Sequence, residues 1–335
     1  MSAAPSKTPP VNLRKRVAKA HAASKDPGLE RPARSSHAEH TIPPKKAAGS
    51  GPDASVLVGD CREVLPTIPE AAASKVDLIF ADPPFNWSVP YDRWADSMTD
   101  AQYLDFTHAW TKACTDALRP GGALWINIPD DWAAEIVVYL KRTVGLELAN
   151  WCIWHYRFGQ NTRSRFISSK VHALYFVKPG GERTFNPIDI AEPSDRATTY
   201  GDKRTLSKRD GMPAGLRVPM DVWYGKFWGR IQGNNKERRA RHHNQLPEIY
   251  LARVVRACSN PGDIVLDPFL GSGTTGVVAH ALKRRFIGIE YSPENAASAA
   301  ERIKKGPHRD PTAPFEGTPI FQTRRSLTIV ADDEA

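Results

Sequence analysis

The chain has 335 residues, 46 Lys and Arg against 37 Asp and Glu, and a formal net charge of +9. That length holds one large domain or two small ones, and a hydrophobic content of 41% with nine Trp supplies a sizeable core. No apolar run is long enough for a membrane span, no apolar h-region follows the amino terminus, and the four Cys lack zinc-ligand spacing, so a soluble, cytoplasmic chain with reduced thiols and no metal site is expected. Residues 1–50 carry ten Lys and Arg against three Asp and Glu, with much Ala, Pro and Ser. They cannot bury enough apolar area to offset the entropy of ordering, so a disordered basic tail is predicted. A short basic helix over 11–21, formed on nucleic acid, is the alternative to a plain solvated tail.

The folded part is expected over 51–306. Ser55–Val58 reads as a strand, Arg62–Leu65 as a short helix and Val76–Ala81 as a buried strand. Asp82-Pro83-Pro84-Phe85 follows at once. Two prolines cannot continue a strand, so the chain turns stiffly at the strand's carboxyl end, where open α/β sheets hold ligands. That turn offers a carboxylate, main-chain carbonyls and an aromatic face, a set suited to a flat ring bearing an exocyclic amine. A helix over 100–118 carries Tyr103, Phe106, Trp110, Ala113 and Ala117 on one face, with Thr99 or Asp100 as N-cap. Arg119-Pro120-Gly121-Gly122 breaks it before a strand at Ala123–Ile128. A helix over 131–143 and strands at 148–156 and Val171–Val177 follow. From 182 to 243 the apolar period fades and basic residues such as Arg183, Lys203, Lys208, Arg209, Arg217, Arg230 and Arg241 accumulate. Each alone is a solvated charge. As a set they predict an inserted surface that contacts nucleic-acid phosphates.

Order returns with a helix over Ile249–Ala257. Then come a short strand at Ile264–Leu266, the loop Asp267-Pro268-Phe269-Leu270-Gly271-Ser272-Gly273, a helix from Thr274 to Leu282 and a strand at Arg285–Glu290. Gly271 and Gly273 permit a tight turn and close approach to a ligand. Glu290, 17 residues after Gly273, is placed to hold two ribose hydroxyls. Gly271, Gly273 and Gly276 also satisfy the dinucleotide pattern GxGxxG, which keeps a nicotinamide dehydrogenase open. In such enzymes the loop usually opens the nucleotide domain. Here one strand and one helix, Pro293–Lys304 after a Ser292 cap, remain before an irregular tail over 307–335. The sheet must be completed from upstream, which predicts a circularly permuted, doubly wound α/β sheet.

The two motifs in this order resemble the β class of S-adenosylmethionine-dependent DNA amino-methyltransferases, over roughly residues 55–305. Further matches are Gly59-Asp60-Cys61, Leu118-Arg119-Pro120-Gly121-Gly122 and, less closely, His243-Asn244-Gln245-Leu246-Pro247, which lacks the family's first proline and its lysine. The resemblance implies a Rossmann-like methyltransferase sheet with a target-recognition region over 182–243. It implies catalytic roles for Asp82, Pro83, Pro84 and Phe85: Asp82 and a proline carbonyl accepting from the target amine, Phe85 stacking on the base. It implies cofactor contacts at Asp60, Asp82, Asp267, Phe269, Gly271, Ser272, Gly273, Thr274, Thr275 and Glu290. The implied cofactor is S-adenosylmethionine and the implied partner double-stranded DNA, with no membrane. The resemblance leaves room for a homodimer and for a companion restriction endonuclease. Family members acting on adenine mostly carry Asp at the position of Asp82, and those acting on cytosine mostly Ser, so N6-adenine is the expected target and N4-cytosine the alternative. A catalytically silent nucleic-acid-binding protein is the third reading, set against motifs that are both intact.

Overall fold

The computed structural model describes residues 53–316 apart from 90, 92–93, 95, 157–161, 199–200, 206–210, 240–241 and 243. The basic tail, residues 317–335, and His243, Lys208, Arg209 and Arg241 lie outside the described residues. The strands are β1 (Ala54–Val58), β2 (Val76–Ala81), β3 (Leu118–Ile128), β4 (Glu147–His155), β5 (Lys170–Val177), β6 (Val222–Trp223), β7 (Ile264–Asp267) and β8 (Arg285–Glu290). They form one sheet in the order β1-β8-β7-β2-β3-β5-β4-β6. From β1 to β3 the neighbours run parallel, and β5 is antiparallel to both β3 and β4.

The last two strands in sequence thus sit between the first two in space, which is the permuted, doubly wound order. β7 and β2 are adjacent, with Leu266 opposite Ile79. The chain leaves β7 toward β8 and β1, and leaves β2 toward β3. Their carboxyl ends therefore flank the crevice where a doubly wound sheet changes direction and receives ligands.

Helices α1 (Asp100–Ala117), α2 (Asp130–Tyr139), α3 (Glu248–Cys258), α4 (Thr274–Ala281) and α5 (Pro293–Lys305) cover the sheet. Thr99 and Gln102 form a reciprocal capping box that fixes the start of α1. Its Tyr103, Phe106 and Trp110 are buried, each large apolar side chain contributing about 1.5–3 kcal/mol. All four Cys are buried free thiols.

Two elements differ from the sequence expectation. Residues 119–122 do not precede β3 but belong to it. Val76 pairs with Leu118 and Leu78 with Ala123, so the Pro-Gly-Gly stretch is absorbed as a bulge. Arg119 pins it, donating to the Asp77 carboxylate at 2.6 Å and to Thr184 Oγ1 at 2.9 Å. The second is β6, whose Trp223 pairs with Trp154 at the edge of β4 and packs on Tyr250, with ring centroids 5.4 Å apart. The 182–243 segment is therefore partly core: Ile190, Trp223, Trp228 and Ile231 are buried within it.

Candidate active site

The turn after β2 is held in shape by a carboxylate that no sequence motif singles out. Asp96 accepts from the backbone N–H groups of Asn86 (2.8 Å), Trp87 (2.9 Å) and Val89 (3.0 Å). Those bonds hold Asn86 and Ser88 at φ of 60° and 59°, a left-handed conformation that non-glycine residues adopt only when the surroundings over-determine it. The Asn86 side chain exchanges two further hydrogen bonds with the Met98 backbone, at 2.9 and 2.8 Å. Asp82-Pro83-Pro84-Phe85 is thereby fixed between β2 and a locked loop.

Asp82 accepts a 2.6 Å hydrogen bond from Asn127 Nδ2 at the end of β3, and Asn127 Oδ1 accepts from Tyr250 Oη at 3.4 Å. Burial pushes the Asp82 carboxyl up to about 7. The bond from Asn127 opposes the shift, nearby Asp267 adds to it, and Arg230 opposes it. The Pro84 carbonyl accepts from Tyr103 Oη at 2.7 Å, and the Phe85 carbonyl from Trp132 Nε1 at 3.0 Å. Asn127 is the polar residue in an otherwise apolar strand end, a signal that could have been read from sequence. Tyr103 was legible only as part of an apolar face, because its hydroxyl acts across a distance in sequence.

On the other wall, β7 ends at Asp267, whose Oδ1 accepts from Phe269 N at 2.9 Å. Burial raises this carboxyl too, to about 7, against the bonds from Thr275 and Phe269. Gly273 stands at φ 79° and caps α4. Glu290, at the end of β8, accepts from Gly271 N at 2.8 Å and Ser292 N at 3.0 Å. Asp60 caps the turn after β1 and is paired with Arg62 at 2.6 Å. One further residue supports the loop: Arg302 of α5, buried, donates to the Ser272 carbonyl (2.9 Å), to Ser272 Oγ (3.2 Å) and to Thr274 Oγ1 (2.9 Å). It is a cation on the helix stripe that also carries Ala299, the kind of break in an apolar pattern that marks a buried charge.

Both walls open on one cavity of about 860 Å³. Asp60, Asp82, Pro84, Asp267, Phe269, Gly271, Ser272, Thr274, Thr275 and Glu290 all line it, so the structure brings most of the sequence-predicted residues together. Asn244 and Gln245, from the less closely matching element, line it as well. Pro83, Phe85 and Gly273 are not among the lining residues. Phe85 is buried beside the cavity, with its ring 5.2 Å from Trp87 in an edge-on contact. The cavity falls within the roughly 300–1,000 Å³ usual for ligand sites, enough for a nucleoside-sized cofactor with a second flat ring beside it.

Known proteins share this arrangement. The chain is 35% identical over 253 residues to the type II methyltransferase M.BamHI of Bacillus amyloliquefaciens; the match spans 73% of this chain and 56% of that relative's length. It is 31% identical over 258 residues to the DNA adenine methyltransferase YhdJ of Escherichia coli K12, spanning 76% of this chain and 84% of that one. Among solved structures, the DNA modification methylase TTHA0409 of Thermus thermophilus, complexed with S-adenosyl-L-methionine, superposes with a TM-score of 0.50 at 26% identity, covering 75% of this chain and 93% of that one. The family model described as DNA methylase, N6_N4_Mtase, matches residues 76–301, a span that runs from β2 through both walls of the cavity into α5. By that span, the chain belongs to the N6/N4 DNA methylase family.

Proposed function

We propose that this protein transfers a methyl group from S-adenosylmethionine to the N6 amine of adenine in duplex DNA. The observation that carries the reading is the pairing of Asp82 and Pro84 on one wall of a single cavity with Gly271, Ser272 and Glu290 on the other. The residues fit the cofactor. Glu290 keeps lone pairs beyond those used by Gly271 and Ser292 and is suited to ribose hydroxyls. The hydroxyls of Ser272, Thr274 and Thr275, at the start of α4, are suited to the methionine carboxylate. Four carboxylates, those of Asp60, Asp82, Asp267 and Glu290, line the cavity and favour a positively charged guest. The bound cofactor would supply a methyl group already activated on a sulfonium.

The chain's own contribution is alignment and charge. An exocyclic amine is a poor nucleophile because its lone pair is delocalised into the ring. Asn127 occupies Asp82 Oδ1, which leaves Oδ2 to accept one N–H of the amine, while a proline carbonyl accepts the other. Two such bonds favour a pyramidal nitrogen with its lone pair free. As methylation proceeds the nitrogen sheds one proton, and Asp82, with a carboxyl raised to about 7, is a competent acceptor at neutral pH. Reaching this site requires the base to leave the duplex.

The choice of adenine rests on Asp82, the residue type that adenine-modifying members mostly carry there. The test is mass spectrometry of nucleosides from DNA of a host expressing the chain, beside an Asp82→Ala control. N6-methyladenine absent from the control is expected. N4-methylcytosine in its place would overturn the adenine assignment, and no modified base would overturn the function.

A further inference from the structure

His155 at the end of β4 pairs with Lys170 at the start of β5. On β5, Ala173 stands opposite Asn127 and His172 opposite Ile128, and Asn127 is the residue that holds Asp82. The β4–β5 connection therefore leaves the sheet at the end where Asp82 lies. The stretch 156–171 contains no Asp or Glu. Arg163 and Arg165 are exposed within it. Thr162 and Arg165 close the local turn through Thr162 Oγ1, which donates to the Arg165 carbonyl and accepts from Arg165 N at 3.3 Å. Next to that turn stands Phe166, 98% exposed, followed by Ile167 at 45%. Phe166 is the most exposed large apolar side chain among the described residues.

Scattered apolar residues are normal on protein surfaces. This one combines near-total exposure, a rigid ring, flanking cations and a place on the catalytic rim. Resting on the DNA methyltransferase reading, we infer that Phe166 is a wedge that enters the base stack where the target nucleotide is withdrawn. Removing a base from a duplex forfeits stacking on both sides, at a cost of a few kcal/mol. An inserted aromatic ring restores part of that contact, base–aromatic stacking being worth about 1–3 kcal/mol. Arg163 and Arg165 are placed to neutralise phosphates flanking the gap. Lys170 is not counted with them, because it is paired with Asp130. The wedge lies outside 182–243, so duplex opening and sequence reading fall to different segments.

The test compares one duplex in two forms, once the methylated position has been mapped by single-base sequencing. One form is fully matched. The other carries a mismatch opposite the target base, which is then already partly unstacked. Phe166→Ala is expected to lower kcat/KM on the matched duplex by about tenfold or more and on the mismatched duplex by no more than about threefold, the scale of one lost stacking contact. Phe166→Tyr should retain wild-type rates on both, and cofactor affinity should not change in either variant. Equal losses on the two duplexes, or no loss on the matched one, overturn the wedge. A wild-type protein that methylates neither duplex overturns the reading beneath it instead.

Discussion

A carboxyl group accepts two amine hydrogen bonds well only when ionised, and Asp82 sits where burial opposes ionisation. Below about 7 it holds a proton and becomes a competing donor. The kcat of methylation is therefore expected to rise with pH through about 7 and to level off above it; a pH–rate profile flat from pH 6 to 8 would contradict this. The same shift has a stability consequence of opposite sign. Folded Asp82 binds its proton more tightly than the unfolded residue, whose pKa is about 3.9. Its contribution is thus most favourable at low pH and is lost as pH rises from the unfolded value to about 7. Asp82→Asn removes that loss. The variant should be inactive, yet more stable than wild type by about 1–3 kcal/mol at pH 8 and nearly unchanged at pH 4.5 in denaturant melts without cofactor. Reduced stability at pH 8 would show that the Asn127 bond outweighs the burial cost. Asp82 was legible in sequence because two prolines announce a strand end. Its partner Asn127 and its loop-former Asp96 were not, because each acts through the fold and neither lies in a local motif.

The unit β7–loop–α4–β8 was read almost whole from sequence, since each part has its own local signature. These are a short apolar run, glycines at positive φ, a helix of small residues and an acid closing the next strand. What the pattern does not convey is how closely the unit packs. A Cβ added at Gly276 would lie 2.5 Å from both the Ile303 and Phe286 side chains, with α5 on one side and β8 on the other. Gly276→Ala is expected to destabilise the protein by about 1–3 kcal/mol through overpacking. Glu290→Ala, in contrast, is expected to weaken S-adenosylmethionine binding by about 1–3 kcal/mol in a calorimetric titration, through one lost charge-assisted acceptor. If Gly276→Ala weakened binding without lowering stability, the glycine would serve the ligand and not the packing. β6 escaped notice for the opposite reason: two residues carry no period, and the strand exists only because β4 offers it an edge.

At the scale of the molecule, the last described segment changes where the folded unit ends. The apolar period stops at α5, so the sequence placed everything after 306 in an irregular tail. Residues 307–316 do lack regular structure, yet they are bound into the protein by polar groups that periodicity cannot register. Arg309 pairs with the buried Glu237 at 2.7 Å and lies 3.6 Å from the centroid of the Phe227 ring. The N–H groups of His308 and Arg309 donate to Glu248 Oε2 at 2.8 and 2.9 Å, and Glu248 Oε1 holds Arg302 at 3.0 Å. Phe315 is buried against the guanidinium groups of Arg253 and Arg256. This strap joins the 182–243 segment to α3 and, through Arg302, to Ser272 and Thr274 of the glycine loop. Truncation after Gly306 would leave Glu237 and Glu248 buried with donors missing, a change that typically costs 3–5 kcal/mol for one broken buried pair. The truncated chain is therefore expected to lose about 3–5 kcal/mol in urea melts and to bind S-adenosylmethionine more weakly. Glu237→Gln in the truncated background should recover part of the stability, because the orphaned charge is then gone. A truncated protein that melts with the full chain would show that the strap rests on the surface without supporting what lies beneath it.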